Sequence, residues 1–285
     1  MNIAEIIALK NKRKMTMLTA YDYPIAELVD RVGIDMILVG DSLANVVLGL
    51  DSTTKVGMQE MLHHAKAVTR AVKNALVIGD MPYDSYQVNP EECVKNAQRF
   101  ITEAGCQAVK LEWFEHCLEV TGKIIKAGIP VMGHIGLTPQ TVDKIGGFKV
   151  QCKDAEAAQR LIKQAVELEE IGCFSVVLEC LPDKIAEFIT KKIKIPTIGI
   201  GAGVHCDGQV LVIHDMLGLF ARYTPKFVKK YIDLSPLITK AVNDFKNEVI
   251  QEKFPTDQHS FSIKEEELEK IKSLNLKSGT KYSSG

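Results

Sequence analysis

Six side chains able to do acid–base or metal chemistry lie in or directly after apolar runs: Asp41, Asp80, Lys110, Glu112, His134 and Glu179. Lys110 and Glu112, in AVKLE, are two residues apart. In a strand that spacing puts both on one face, with Val109 and Leu111 on the other. Charge on an inward face is costly unless compensated. A structural ion pair would satisfy that requirement. Carboxylates ending neighbouring runs favour an active-site pair instead. Asp41 and Asp80 offer hard oxygen ligands, and Mg2+ takes one or two carboxylates together with water and substrate. Either one alone reads equally well as the cap of the next helix. No His pair at metal spacing accompanies them, so zinc fits less well than magnesium. Glu179 follows Val176-Val177-Leu178, where desolvation would raise its pKa and suit it to general base work; the plainer reading is a charged rim residue. His134 is suited to donate to a carbonyl or enolate oxygen, or to serve as a structural histidine. Gly199, Gly201 and Gly203 could bring amides to an anion or only permit a tight turn. His63 and His64, on a helical pattern, read as surface or packing residues.

These groups need a scaffold that brings run ends together. Eight β-type runs recur, at 15–20, 35–40, 75–80, 108–113, 129–134, 175–180, 196–201 and 210–215. Several are continuous in Val, Ile and Leu, as parallel strands covered on both faces require. Helical patterns separate most of them. The clearest covers 154–171, with Asp154 as cap and a stripe of Ala158, Leu161, Ile162, Ala165 and Leu168. Gly172 follows at the left-handed C-cap position, and Gly33, Gly105 and Gly128 repeat the device. Eight such units predict an α/β chain folded as a (β/α)8 TIM barrel, with a doubly wound sheet as the alternative. In that barrel catalytic groups project from strand C-termini. Those ends add Thr19, Tyr21 and Asp22 after the first strand, Ser42 beside Asp41, and Asp215 ending the eighth. Long connections at 42–56 (before a helix at 59–73) and 136–153 are where active-site loops would lie; the second carries Gly136, Pro139, Gly146 and Gly147. The barrel is expected to occupy 1–252. A polar tail, 253–285, is expected to be partly disordered, with a short helix around 264–274.

Composition excludes several classes. The 285 residues suit one barrel of roughly 250 residues, and a net charge of −1 gives no field to draw nucleic acid or anionic lipid. No apolar run approaches the roughly 18 residues of a membrane span. MNIAEIIALKNKRK carries its positive charge after its apolar stretch, the wrong order for a secretory signal, and reads as an amphipathic lead-in helix. Seven cysteines, an odd number without a CxxC pair, indicate free thiols in a reducing, cytoplasmic setting.

The segments LTAYDYPIAELVDRVGIDMILVGDS, VLGLDST, EMLHHAKAV, AVKLE, GHIGLTPQ, VLECLP, IPTIGIGAG and CDGQVLVIHDMLGL occur in this order, between about residues 15 and 233. Together they resemble the ketopantoate hydroxymethyltransferase family. The resemblance implies transfer of a one-carbon unit from 5,10-methylenetetrahydrofolate to 3-methyl-2-oxobutanoate, giving 2-dehydropantoate for pantothenate synthesis. It implies a barrel of the phosphoenolpyruvate mutase/isocitrate lyase kind, one Mg2+ per subunit and a homo-oligomer, often a decamer. Asp41 and Asp80 would bind the metal, with Glu112 beside it through water. Ser42 and Lys110 would hold the substrate's carboxylate and oxo groups, Glu179 would be the base, and His134 and Tyr21 secondary site residues. A Mg2+-stabilised enolate at C3 is the chemistry these groups would support, with Lys110 adding positive charge where the oxyanion develops.

The chain departs from the family pattern at Trp113-Phe114, where Gly-Gly is usual, at Ala44-Asn45, at 53–57, and at Cys152 in place of Gly. These changes bear on the folate pocket more than on the metal centre. Rival readings are another oxo-acid lyase, mutase or decarboxylase, a phosphate-binding barrel, and a catalytically dead barrel. KKCGH of the isocitrate lyase type is absent, the segment 210–219 runs apolar where a phosphate loop would stand, and none of Asp41, Asp80, Lys110 or Glu179 is lost.

Overall fold

A computed structural model describes residues 1–141, 151–152, 154–220, 222 and 224–275. The β-type runs form strands β1 (Met15–Thr19), β2 (Met36–Val39), β3 (Leu76–Asp80), β4 (Ala108–Glu112), β5 (Val131–Gly136), β6 (Ser175–Glu179), β7 (Thr197–Ile200) and β8 (Gly208–Leu211). All pair in parallel and in chain order, and β8 closes on β1, with Met15 opposite Gly208 and Leu18 opposite Leu211. The barrel read from the repeated units is the fold found.

The eighth strand is a correction. It ends at Leu211, and the chain turns into a short helix, Ile213–Met216. The Thr19 hydroxyl accepts from the Ile213 amide at 2.9 Å and holds that turn against β1. The apolar run was read as one strand because it continues through both elements. Asp215 therefore sits on a helical turn above the barrel, not at a strand end.

The helix Ala155–Glu170 starts where its cap predicted, with the Asp154 carboxylate accepting from the Ala157 amide at 2.8 Å. Gly33, Gly105, Gly128 and Gly172 all have φ between 77° and 100°, the left-handed conformation the punctuation implied. The connection at 42–56 contains a helical turn, Leu43–Val46, and a 3-10 turn, Thr53–Lys55. In the loop after β5, residues 142–150, with Gly146 and Gly147, lie outside the described residues.

Two apolar layers follow from the strand alternation. Val77, Val109, Leu111 and Val131 face outward onto helix residues such as Val68, Phe100 and Leu168. Met15, Met17, Met36, Leu76, Ile78, Ala108, Met132 and Ile198 fill the lower lumen. The lead-in helix Ile3–Ala8, capped by Asn2, packs Ile6 against this lumen with no exposure. Above the apolar layers the inward positions turn polar.

The barrel unit runs from Met1 to Ile232, so the helix Leu234–Ile250, which the reading of 1–252 placed in the barrel, belongs to a second compact unit. In that unit the Phe245 and Phe254 rings meet edge-on, Phe254 lies tilted against His259, and a helix spans Glu265–Asn275. Among the described residues no helix is long and apolar enough to cross a membrane.

Candidate active site

The register brings the sequence candidates into one patch at the C-terminal end of the barrel. Asp80 is opposite Lys110, Glu112 opposite His134, and Glu179 opposite Gly136. Gly136 adopts φ +100°, and a Cβ there would meet the Glu179 carbonyl at 2.3 Å, so only glycine lets β5 and β6 approach this closely. Lys110 and Glu112 point inward as their spacing predicted, and both are buried.

Lys110 Nζ donates to Asp80 Oδ1 at 2.6 Å, and the Asp41 amide donates to Asp80 Oδ2 at 3.2 Å. Burial pushes the Asp80 carboxyl up; Lys110 pulls it back and Asp41 pushes it up again, leaving it at about 7. Burial lowers the Lys110 pKa, but the charges of Asp80, Asp41 and Glu112 outweigh it and hold the ammonium above the usual lysine range. The lysine is thus a fixed positive charge. Burial also drives Glu112 well above the carboxylate range, against the pull of Lys110.

His134 stands between two carboxylates, with Nδ1 3.6 Å from Glu112 Oε1 and Nε2 3.2 Å from Glu179 Oε2. Among the described residues neither ring nitrogen makes a hydrogen bond, nor does Glu112 Oε1. Burial, with Lys110 adding to it, takes the imidazole well below its ordinary pKa, so the ring is neutral. Burial raises Glu179 to about 8, with Lys110 lowering it and Asp41 raising it. Its side chain keeps 14% exposure, enough to meet a ligand in the cavity above.

That cavity, of about 560 Å³, is lined by Asp41, Ser42, Asp80, Lys110, Glu112, His134 and Glu179. Tyr21 is not part of the lining. It is fully buried behind Ser42, with its hydroxyl 2.8 Å from the Ser42 Oγ, and His64 reaches its carbonyl at 2.7 Å.

Two contributors escaped the sequence reading. Gln140, on the 3-10 turn Pro139–Thr141, donates through Nε2 to Asp41 Oδ2 at 2.8 Å and through its amide to Glu112 Oε2 at 3.1 Å. The Tyr86 hydroxyl donates to Gln140 Oε1, which fixes which way the amide faces. Gln140 lies within GHIGLTPQ, but nothing in a pattern reveals that a loop residue will bridge strands two and four. Trp113 and Phe114 line a second cavity of about 470 Å³ with His116, Cys152 and Arg160, and Phe114 packs on Tyr86 with ring centroids 5.1 Å apart.

The donor set at the head of the first cavity is oxygen, as a hard cation prefers. Asp80 and Glu112 are both held above the ordinary carboxylate range, and one Glu112 oxygen lacks a donor. A divalent cation would stabilise the charged carboxylates that burial disfavours. Among the described residues no three His, Cys, Asp or Glu side chains converge on one ion position. Asp41, Asp80 and Glu112 therefore do not form a closed cage. Asp41 and Asp80, both lining the cavity, are the oxygen donors that could hold such a cation.

Residues 1–257 match the family model described as Ketopantoate hydroxymethyltransferase. A relative from Syntrophomonas wolfei named 3-methyl-2-oxobutanoate hydroxymethyltransferase is 56% identical over 262 residues, 92% of this chain and 95% of its own. One of the same name from Syntrophobacter fumaroxidans is 55% identical over 275 residues, 96% and 98% of the two chains. Among solved structures, a phosphonopyruvate hydrolase superposes with TM-score 0.61 at 13% identity, covering 97% of both chains. A 2,3-dimethylmalate lyase, described as a PEP mutase/isocitrate lyase superfamily member, gives 0.58 at 12% identity, covering 96% and 95%. At that identity the structural matches establish the barrel type alone.

Proposed function

The chain belongs to the ketopantoate hydroxymethyltransferase family, and from that premise we propose that it converts 3-methyl-2-oxobutanoate to 2-dehydropantoate with 5,10-methylenetetrahydrofolate as donor. The observation that carries the mechanism is the pairing of a base and a fixed positive charge in one cavity. Glu179, raised to about 8, faces the same space as the Lys110–Asp80 pair.

Asp41 and Asp80 would hold Mg2+, with Glu112 reaching it through water. The bound ion would supply Lewis acidity to the oxo acid's carboxylate and oxo oxygens. Ser42, whose Oγ lies 2.8 Å from the Tyr21 hydroxyl, would donate to the substrate carboxylate. Glu179 removes the C3 proton, a base whose pKa near the working pH suits that task. Lys110 stabilises the negative charge that moves onto the oxo oxygen. Neutral His134 carries a single N–H, which beside Glu179 can pass from that carboxylate to the developing oxyanion. Water hydrolyses the donor's N–CH2–N bridge, releasing tetrahydrofolate and the one-carbon unit as formaldehyde. The enolate carbon then attacks the formaldehyde carbon, and the resulting alkoxide takes a proton to become the product's hydroxyl. The chain is further proposed to act in the cytoplasm, in pantothenate synthesis, as a homo-oligomer of decamer type.

The test is deuterium exchange at C3 of 3-methyl-2-oxobutanoate, followed by NMR with Mg2+ and with EDTA before any folate is added. Metal-dependent exchange is expected. Its absence, with or without methylenetetrahydrofolate, would direct attention to lyase or decarboxylase chemistry.

A further inference from the structure

The mechanism above leaves one buried acid of the cavity unused. Asp215 is 8% exposed and lines the same cavity as Lys110 and Glu179, from the turn above β8. Burial lifts its carboxyl to about 6, and Lys230 only partly opposes this. Among the described residues no hydrogen-bond donor reaches its side chain. A carboxylate kept this dry without donors is costly to the free protein. Its surroundings hold it in place all the same, since Thr19 pins the Ile213 amide and the Tyr21 and His214 rings lie 5.5 Å apart beneath the turn.

The cavity is also far larger than a short branched oxo acid fills. At about 560 Å³ it falls in the range of sites that enclose drug-sized ligands, commonly 300–1,000 Å³. Beyond the polar head its walls are apolar, with Val46, Leu50, Val212, Phe220 and Phe227. Arg222 and Lys226, both exposed, line its outer part. The lining thus offers an acceptor pair in a dry setting, an apolar stretch and two exposed cations, with the exposed Asp51 paired to Lys55.

We propose that Asp215 is the donor-binding carboxylate of this site, accepting paired hydrogen bonds from the 2-amino and N3–H edge of a reduced pterin. That edge presents two adjacent N–H groups as a guanidinium fork does, the geometry a carboxylate takes bidentately. The aminobenzoyl portion then lies along the apolar wall, and the glutamyl carboxylates meet Arg222 and Lys226. The assignment rests on the reading that the one-carbon donor is a folate.

The test is calorimetric binding of tetrahydrofolate and of its 2-desamino-2-methyl analogue, which lacks the amino donor, to wild type and to Asp215→Asn. Losing a charge-assisted bidentate pair is expected to weaken tetrahydrofolate binding roughly 10- to 100-fold in the variant. It should raise the KM for methylenetetrahydrofolate similarly while kcat changes less. The analogue should bind wild type as weakly as tetrahydrofolate binds the variant, and the variant should lose little further affinity for it. A thermal melt checks that Asp215→Asn folds; if it does not, the two ligands compared on wild type alone decide the matter, equal affinity overturning the proposal. Wild type that binds tetrahydrofolate while Asp215→Asn binds it equally well overturns the role of Asp215 and leaves the donor reading standing. Wild type that neither binds tetrahydrofolate nor turns over with the methylene donor overturns the donor reading, and this inference with it.

Discussion

Buried carboxylates occur at both ends of the barrel, and the two ends treat them oppositely. At the lower end each is saturated. Asp35 takes two bonds from the Arg13 guanidinium, at 2.8 and 2.5 Å, and one from the Thr16 amide at 2.9 Å. Asp207 takes Lys10 at 2.6 Å and the Thr197 amide at 2.9 Å. Asp30 gathers the amides of Lys73, Asn74 and Ala75. Burial raises the Asp30 and Asp35 carboxyls, but these donors outweigh it, and both end below the ordinary value. At the upper end burial wins. Asp80 sits at about 7, Glu179 at about 8 and Asp215 at about 6. The lower acids hold the fold together. Among the described residues Asp80 has donors in Lys110 and the Asp41 amide, but Glu179 and Asp215 have none where ligands arrive, a cost to the free protein in exchange for reactivity.

The comparison breaks most sharply at the metal. Asp41→Ala combined with Asp80→Ala should reduce Mg2+-dependent C3 exchange by about 1,000-fold or more, while circular dichroism still records a cooperative melt. Near wild-type exchange would remove these residues from the metal site.

Glu179→Gln should lower exchange by roughly 10²- to 10⁴-fold, the worth of a general base, while isothermal titration still detects oxo-acid binding. Persistent exchange would move the base to His134 or Glu112. The same variant tests stability. A carboxyl raised in the folded state costs nothing below the unfolded value of 4.5 and most above about 8. At pH 8 the unliganded variant should therefore melt higher than wild type, by about 2–4 °C for each ~1 kcal/mol relieved.

Asp35→Asn should do the reverse. Its folded pKa lies below 3.8, so its contribution is present above that pH and lost as pH falls through the folded value. Denaturant titration at pH 7 should show a loss of about 1–3 kcal/mol, narrowing towards wild type in acid. Equal loss at both pH values would mean that packing, not charge, dominates at the lower end.

The smallest expected effect is at Gln140. Gln140→Leu removes the Nε2 bond that holds Asp41, while the backbone amide still donates to Glu112, and should cut kcat about 10-fold, near the cost of one hydrogen bond. Tyr86→Phe frees the amide to turn and should do less. Unchanged kcat in both would show that the carboxylates are positioned without it.

What the sequence disclosed follows from periodicity. Lys110 and Glu112 could be assigned a face because a strand repeats every two residues, and Asp80, His134 and Glu179 could be brought together because parallel strands align their ends. Asp215 was set on the wrong element because an apolar run does not mark where extended backbone gives way to a turn. Gln140 and Tyr86 were hidden because their partners come from loops whose path no period encodes. The departures at Trp113 and Phe114 were visible as letters, but their place in a second cavity was not.

The seam between β1 and β8 has a consequence in time. It joins residues 15–18 to 208–211, so closure must wait until almost the whole barrel unit has left the ribosome. Pairings this distant in sequence form slowly. Until they form, β1 and β7 present open edges that invite other chains. A chain stopped short of residue 208 would keep most of its catalytic letters and yet lack the enclosure that gives them their chemistry.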